Sequence, residues 1–257
     1  MKTINPWLFI PQPNPQAKFR LFCFPYAGAN AFNFRSWAKY LPKDIEFCIV
    51  QLPGRANRSK EPLLKDIRSL VKTLAPALLS HLDRPFAFFG HSMGALIAFE
   101  LTRQLRRLQV PLPIHLFVSG RRAPQMPSFQ PHVHSLPTPL FLEKIRRYSG
   151  TPEVILQNQE LMDLLLPVLR ADLQINETYT YKNDFLLDCP ISAFGGLQDP
   201  EVSLEEMTAW SHLTSNTFNL RMYDGHHFFI QEHTCELLKI VSQDLMSTVR
   251  ASESIAA

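Results

Sequence analysis

Glycine is scarce in this chain of 257 residues, with 9 glycines against 21 prolines. A motif built on two glycines therefore carries more weight here than it would in a glycine-rich protein. The four cysteines, Cys23, Cys48, Cys189 and Cys235, show no C-x-x-C spacing, which argues against a zinc ribbon or a dithiol redox pair. Three of them lie in apolar, strand-like runs, where a free cysteine behaves as a small buried hydrophobe. Runs of like charge are also missing. Lys and Arg total 26 and Asp and Glu 23, a net charge of +3, so the basic footprint of a nucleic-acid binder is absent. Nor is there a long apolar run: the uncharged stretch 85–99 is too short to span a bilayer and is interrupted by Gly90, His91, Ser92 and Gly94. The uncharged stretch 123–142 contains Pro124, Pro127, Pro131, Pro137 and Pro139 and reads as a loop. Near the N-terminus the apolar run 7–10 breaks at Pro11, Pro13 and Pro15, too early for a secretory signal. With 46% hydrophobic and 19% charged residues the composition is globular, not disordered. The expectation is a reduced, cytoplasmic, monomeric protein that meets neither nucleic acid nor membrane.

What is present is an alternation of short apolar runs and longer helical patterns. Strands are expected at 19–24, 45–52, 86–89, 114–118, 191–194 and 218–223, each rich in Phe, Ile or Val and bounded by Pro, Gly or Asp. Between 62 and 81, Ile67, Leu70, Val71, Leu74 and Leu78 recur at helical spacing, and further helices are expected at 93–107 and 228–249. This order predicts an α/β protein with a mostly parallel sheet flanked by helices, in one domain spanning 1–257. The connection from 118 to 191 is too long for a plain crossover, so 121–187 reads as an insertion. It opens on the prolines and continues as two or three helices, notably 141–148 and 160–173. In the second, Leu161, Leu164, Leu165, Val168 and Leu169 form an apolar stripe. The stripe packs the insertion onto the body or, in a lid, also lines an acyl pocket. Residues 251–257 look like a frayed tail.

Gly90-His91-Ser92-Met93-Gly94 fits G-x-S-x-G, directly after a predicted strand and directly before a predicted helix. A serine on such a sharp turn is presented as a nucleophile, and the tightness of the turn demands small residues two positions to either side. At average Gly and Ser usage the pattern arises by chance roughly 0.1 times in a chain of this size. A serine needs a base to take its proton and a third group to orient that base. The partners are expected in the order Ser, acid, His, beyond the carboxyl ends of later strands. Asp199 follows the strand 191–194, and His226 and His227 follow the last strand; the residues alone leave open which of the two is the base. Asp188 precedes its strand and lies at the wrong end, and Asp224 is better placed as a turn residue. His91 is expected to pack at the elbow, and no histidine has the company needed for a metal site, so no metal or cofactor is expected. For the oxyanion, one N–H donor is expected from Met93 and another from the loop Pro25-Tyr26-Ala27-Gly28-Ala29.

At this point the chain resembles the type II thioesterases, stand-alone enzymes of the α/β-hydrolase fold that serve polyketide and nonribosomal peptide synthetases. The resemblance rests on Phe24-Pro25-Tyr26-Ala27-Gly28, Leu52-Pro53-Gly54-Arg55, Gly90-His91-Ser92-Met93-Gly94-Ala95 and Ser119-Gly120-Arg121-Arg122-Ala123-Pro124. Leu166-Pro167-Val168-Leu169-Arg170-Ala171-Asp172 and Gly225-His226-His227-Phe228-Phe229 extend it. It implies a helical lid and hydrolysis of acyl groups from the phosphopantetheine arm of a carrier protein. Carried over by position, it puts the nucleophile on Ser92, the acid on Asp199, the base on His227 and the oxyanion donors on the N–H groups of Ala27 and Met93. His226 stands where the family usually has a glycine. The acidic carrier that the resemblance implies makes Arg146 and Arg147, in the first lid helix, candidates for docking it. A carboxylesterase, lipase or medium-chain fatty-acyl thioesterase is the enzymatic alternative, since fold and triad do not fix the substrate. A non-catalytic binding module is the alternative from another class, and the complete triad speaks against it.

Overall fold

The computed structural model describes residues 5–127, 131–148 and 150–256. Seven strands form one sheet: β1 (Leu8–Phe9), β2 (Phe19–Phe24), β3 (Ile45–Val50), β4 (Phe86–His91), β5 (His115–Ser119), β6 (Ile191–Gly196) and β7 (Phe218–Tyr223). Their spatial order is β1-β3-β2-β4-β5-β6-β7. All neighbours are parallel except β1, which runs antiparallel to β3 with Leu8 opposite Val50. The mostly parallel sheet expected from the alternation, and the α/β-hydrolase fold that the resemblance implies, are thus present, with one strand added. A strand of two residues offers no alternation to read, so β1 left no mark in the sequence.

The helices are α1 (Ile67–Leu78), α2 (Met93–Arg107), α3 (Thr138–Tyr148), α4 (Glu153–Leu156), α5 (Gln159–Glu177), α6 (Leu204–Thr208), α7 (Phe229–Glu232) and α8 (Thr234–Ala256). The stretch 62–81 becomes helical only at Ile67 because Asp66 caps it, its carboxylate accepting the Ser69 N–H at 2.8 Å. The pattern at 228–249 is two helices broken at His233, and the second continues through Ala256, where a frayed tail was expected. Its last position, 257, lies outside the described residues, as do 128–130 of the proline-rich stretch. That stretch also ends earlier than expected: Pro139 sits in the first turn of α3, where its missing N–H costs nothing.

Both faces of the sheet are covered. One apolar cluster joins Phe22, Phe24, Phe88 and Val118 to α1 and α2, and the other joins Phe89, Phe117 and Phe194 to the 31–39 segment and α8. The long β5–β6 connection holds α3, α4 and α5 around a smaller apolar cluster of its own, centred on Phe141, Ile145, Met162 and Leu169. Strand order reverses at β2: the chain passes from β2 outward to β3, then returns to β4 on β2's other side. At such a switch point the loops leaving two neighbouring strands diverge and open a crevice at their carboxyl ends. Here those loops are the ones after Phe24 and after His91.

Candidate active site

Ser92 sits at φ +54 and ψ −116 between β4 and α2, a strained conformation for a residue with a Cβ. The turn closes only because its flanking glycines lack side chains. A Cβ on Gly90 would lie 2.1 Å from the Gly94 carbonyl oxygen, and one on Gly94 would lie 2.0 Å from that of Phe24. The pentapeptide spacing is therefore a packing requirement of the elbow. Met93 opens α2 and is fully buried, so its N–H is one of the unpaired donors at a helix start, where the helix dipole favours negative charge.

The structure brings together most of the residues expected at the site. His227 Nδ1 donates to Asp199 Oδ2 at 2.7 Å, the carboxylate side chain being 1% exposed and the imidazole 14%. The second Asp199 oxygen accepts the Glu201 N–H at 2.8 Å, which fixes the carboxylate plane. The neighbouring His226 is turned away, its Nδ1 donating to the Gln198 carbonyl at 2.8 Å, and Asp224 accepts from the Gln198 amide at 2.7 Å. The geometry therefore pairs the acid with His227 and keeps Asp224 as a turn residue. Asp188 lies at the opposite end of the sheet, its backbone carbonyl accepting from Asn216 before β7.

Tyr26, Ala27, Gly28 and Ala29 form a β-turn closed by the Ala29 N–H to the Tyr26 carbonyl at 3.0 Å. Gly28 takes its third position at φ +79, which a type II turn requires. The Ala27 N–H takes no part in that hydrogen bond. Ser92, Ala27 and His227 all line one cavity of about 200 Å³. Its roof is the insertion, which contributes Ile145 and Tyr148 from α3 and Leu169 and Leu173 from α5. The apolar stripe of α5 is used only in part: Leu169 faces the cavity and Val168 is buried, but Leu161 and Leu164 are exposed, Leu164 by 72%, and serve neither use foreseen for the stripe.

His91 packs at the elbow as expected; its partners there, and the place of Arg121, were not visible in the sequence. His91, directly before the nucleophile, is fully buried, bonds the Ser119 hydroxyl at 2.9 Å through Nδ1, and lies with its ring 5.0 Å from that of His227. Burial, and secondarily the nearby His227, push the His91 imidazole well below the usual histidine range, so a neutral ring supports the one beside Asp199. Arg121 also lines the cavity, with its Nη1 donating to Asn176 at 2.8 Å; burial first, then Arg122, pushes its guanidinium down to about 9. Arg146 and Arg147 are exposed on α3 and each meets a carboxylate of the insertion, Glu153 at 3.4 Å and Glu143 at 2.6 Å. Among the described residues no group of three or more His, Cys, Asp or Glu is arranged to hold a metal ion, and no helix is long and apolar enough to cross a membrane.

A strained serine beside a carboxylate-bound imidazole can support acyl transfer through the serine oxygen, and comparison with known proteins gives the family. The model of the thioesterase domain family matches residues 19–245. The chain is 45% identical over 242 residues to the gramicidin S biosynthesis protein GrsT of Aneurinibacillus migulanus, covering 94% of each chain. It is 38% identical over 249 residues to thioesterase PikA5 of Streptomyces venezuelae, covering 96% of this chain and 88% of that one. Among solved structures, the type II thioesterase BorB from the borrelidin biosynthetic cluster superposes with a TM-score of 0.86 at 37% identity, covering 93% of this chain and 97% of that one.

Proposed function

This chain belongs to the thioesterase family, and on that premise we propose that it is an editing type II thioesterase. It hydrolyses acyl groups from the phosphopantetheine arm of carrier proteins in polyketide or nonribosomal peptide synthesis. The reading is supported above all by the convergence of Ser92, Ala27 and the Asp199-bound His227 on one cavity roofed by the insertion. Similarity to proteins named for gramicidin S and borrelidin biosynthesis supports the substrate class.

The chemistry runs in two halves. The Ser92 hydroxyl attacks the thioester carbonyl carbon while His227 takes its proton, and Asp199 holds the imidazole oriented and stabilises its positive charge. The oxyanion accepts hydrogen bonds from the Ala27 and Met93 N–H groups. Collapse expels the pantetheine sulfur, which receives the proton from His227, and leaves an acyl ester on Ser92. Water then attacks that ester with His227 again as base, the acid departs, and the serine proton is restored. The carrier protein stays outside, with its arm threaded to Ser92. Arg146 and Arg147 lie between the cavity-lining Ile145 and Tyr148 on α3, and a docking role for them rests on that position and their exposure.

Ser92→Ala tests the assignment. Turnover of an acyl-carrier protein should fall at least about a thousandfold with the thermal midpoint unchanged. His227→Ala should match it and His226→Ala should not. An intact rate in Ser92→Ala, or a greater loss at His226, removes the assignment. Wild-type preference for p-nitrophenyl esters or acyl-CoA over acyl-carrier protein would redirect the substrate class to a carboxylesterase or a fatty-acyl thioesterase.

A further inference from the structure

Two sequence motifs remain without a role in this chemistry: Leu52-Pro53-Gly54-Arg55 after β3 and Leu166 to Asp172 in α5. The fold brings their last residues together. Asp172 is fully buried and Arg55 is 7% exposed. The guanidinium grips the carboxylate with both nitrogens, Nη1 to Oδ2 at 2.6 Å and Nη2 to Oδ1 at 2.7 Å. Both partners then reach the same short turn. Asp172 Oδ2 accepts the Gly28 N–H at 2.8 Å, and Arg55 Nη1 donates to the Ala29 carbonyl at 3.1 Å. From the same helix, one turn apart, Leu165 and Leu169 pack over Gly28.

Stability alone is a poor reason for such a pair. Removing two charges from water carries a heavy desolvation cost for each ion, and apolar replacements of similar volume are often as stable or more so. What a forked, bidentate pair supplies is fixed geometry. Here the geometry is delivered to the turn that carries Ala27. A glycine at the third position of a turn tolerates either orientation of the peptide plane before it, and the two orientations separate type I from type II turns. The bond from Gly28 N–H to Asp172 selects one orientation, and the Arg55 bond to Ala29 holds the next carbonyl.

We propose that Asp172 and Arg55 are positioning residues that clamp the 26–29 turn so that the Ala27 N–H is aimed at the developing oxyanion before substrate arrives. The inference rests on the reading of Ala27 and Met93 as oxyanion donors. It makes α5 part of the catalytic apparatus: its carboxylate orders the hole, and its leucines roof the cavity. A donor held in place beforehand needs no reorganisation when charge appears, which is where such sites gain their rate.

The test compares wild type with Asp172→Asn, which keeps the shape but loses the charge, and Arg55→Lys, which keeps the charge but loses the fork. On an acyl-pantetheine thioester kcat should fall by about 10- to 100-fold and KM move by less than about threefold, a fraction of the loss seen when an oxyanion donor is removed outright. Affinity for an alkyl boronic acid, which forms a tetrahedral adduct on the serine, should fall by a similar factor. Binding of intact thioester to each variant carried on a Ser92→Ala background should not change. If Asp172→Asn fails to fold, Arg55→Lys carries the same readings. Unchanged kcat and boronate affinity in folded variants, with only a lowered thermal midpoint, would show a purely structural pair and overturn the clamp. A wild-type enzyme that turns over thioester yet forms no adduct at Ser92 would instead overturn the assignment of Ser92 as nucleophile, and with it the proposed function on which the clamp rests.

Discussion

Gly120, just after β5, holds φ at +55, and a Cβ there would lie 2.5 Å from His91 Cε1 and 3.4 Å from His227 Cε1. The missing side chain is thus the space in which two imidazoles meet, tilted by 48°, beside Ser92. Gly120→Ala meets both obstacles at once, backbone strain and a clash with a fully buried ring. It should cost about 1–3 kcal/mol of stability by thermal unfolding. The variant should also lose more than about tenfold in kcat/KM, because a displacement of His91 is passed to His227. At this scale the sequence was legible where chemistry imposes spacing. The elbow's glycines and the Ser, Asp, His order are constraints along the chain, so Ser92 and Asp199 could be read directly. The choice of His227 over His226 came from family resemblance and needed the Asp199 bond to give it a geometric reason. The support from His91 was illegible, because it depends on two rings meeting across the sheet's carboxyl edge.

Among the elements, those with a strong period were readable and those without were not. The buried residues of the 31–39 segment are Ala31, Phe34 and Trp37, a spacing of three that marks a 3₁₀ helix and matches neither the α nor the β template. α5 runs to Glu177, past the expected end at 173, with Ile175 buried and Asn176 bonded to Arg121. Its tether to Arg55 and Gly28 joins the second half of α5 to the body, whereas α3, α4 and the start of α5 pack in an apolar cluster of their own. The docking role proposed for Arg146 and Arg147 belongs to the first of these helices. Because Glu153 and Glu143 already share their charge, the steering they supply is modest and sensitive to salt. Reversing both to Glu should lower kcat/KM on an acyl-carrier protein by about three- to tenfold at low ionic strength, with the loss shrinking in 0.5 M salt, where the Debye length is about 4 Å against about 30 Å in dilute buffer. A free acyl-pantetheine thioester should be unaffected. Equal losses on both substrates would mean a damaged lid and no docking surface.

The molecule as a whole carries a second buried polar centre at the opposite end of the sheet. His115 Nε2 meets the Ser192 hydroxyl at 3.0 Å, Ser192 donates to Asp244 at 2.8 Å, and Arg221 grips the same carboxylate. Burial, partly offset by Asp244 and reinforced by Arg221, pushes the His115 imidazole down to about 4. The unfolded chain takes up this proton near pH 6.5 while the folded one resists it, so stability present above 6.5 is lost as pH falls toward 4. The contribution at stake is about 3 kcal/mol. Urea denaturation at pH 7 and pH 5 should show the decline, and His115→Gln should flatten it. The Asp172 clamp has a different consequence, for the order in which the chain acquires its activity. Gly28 and Asp172 are 144 residues apart, and Arg55 and Asp172 are 117 apart. Contacts closed over such spans form late in folding, and breaking one that is absent from the transition state speeds unfolding with little change in refolding. Asp172→Asn should therefore shorten the unfolding time in stopped-flow experiments and leave the refolding arm in place. During synthesis, Ser92 emerges well before Asp172, Asp199 and His227. On the roles proposed for them, a growing chain presents a nucleophile with no base and a loose oxyanion hole, and becomes a hydrolase only when its last strand has joined the sheet.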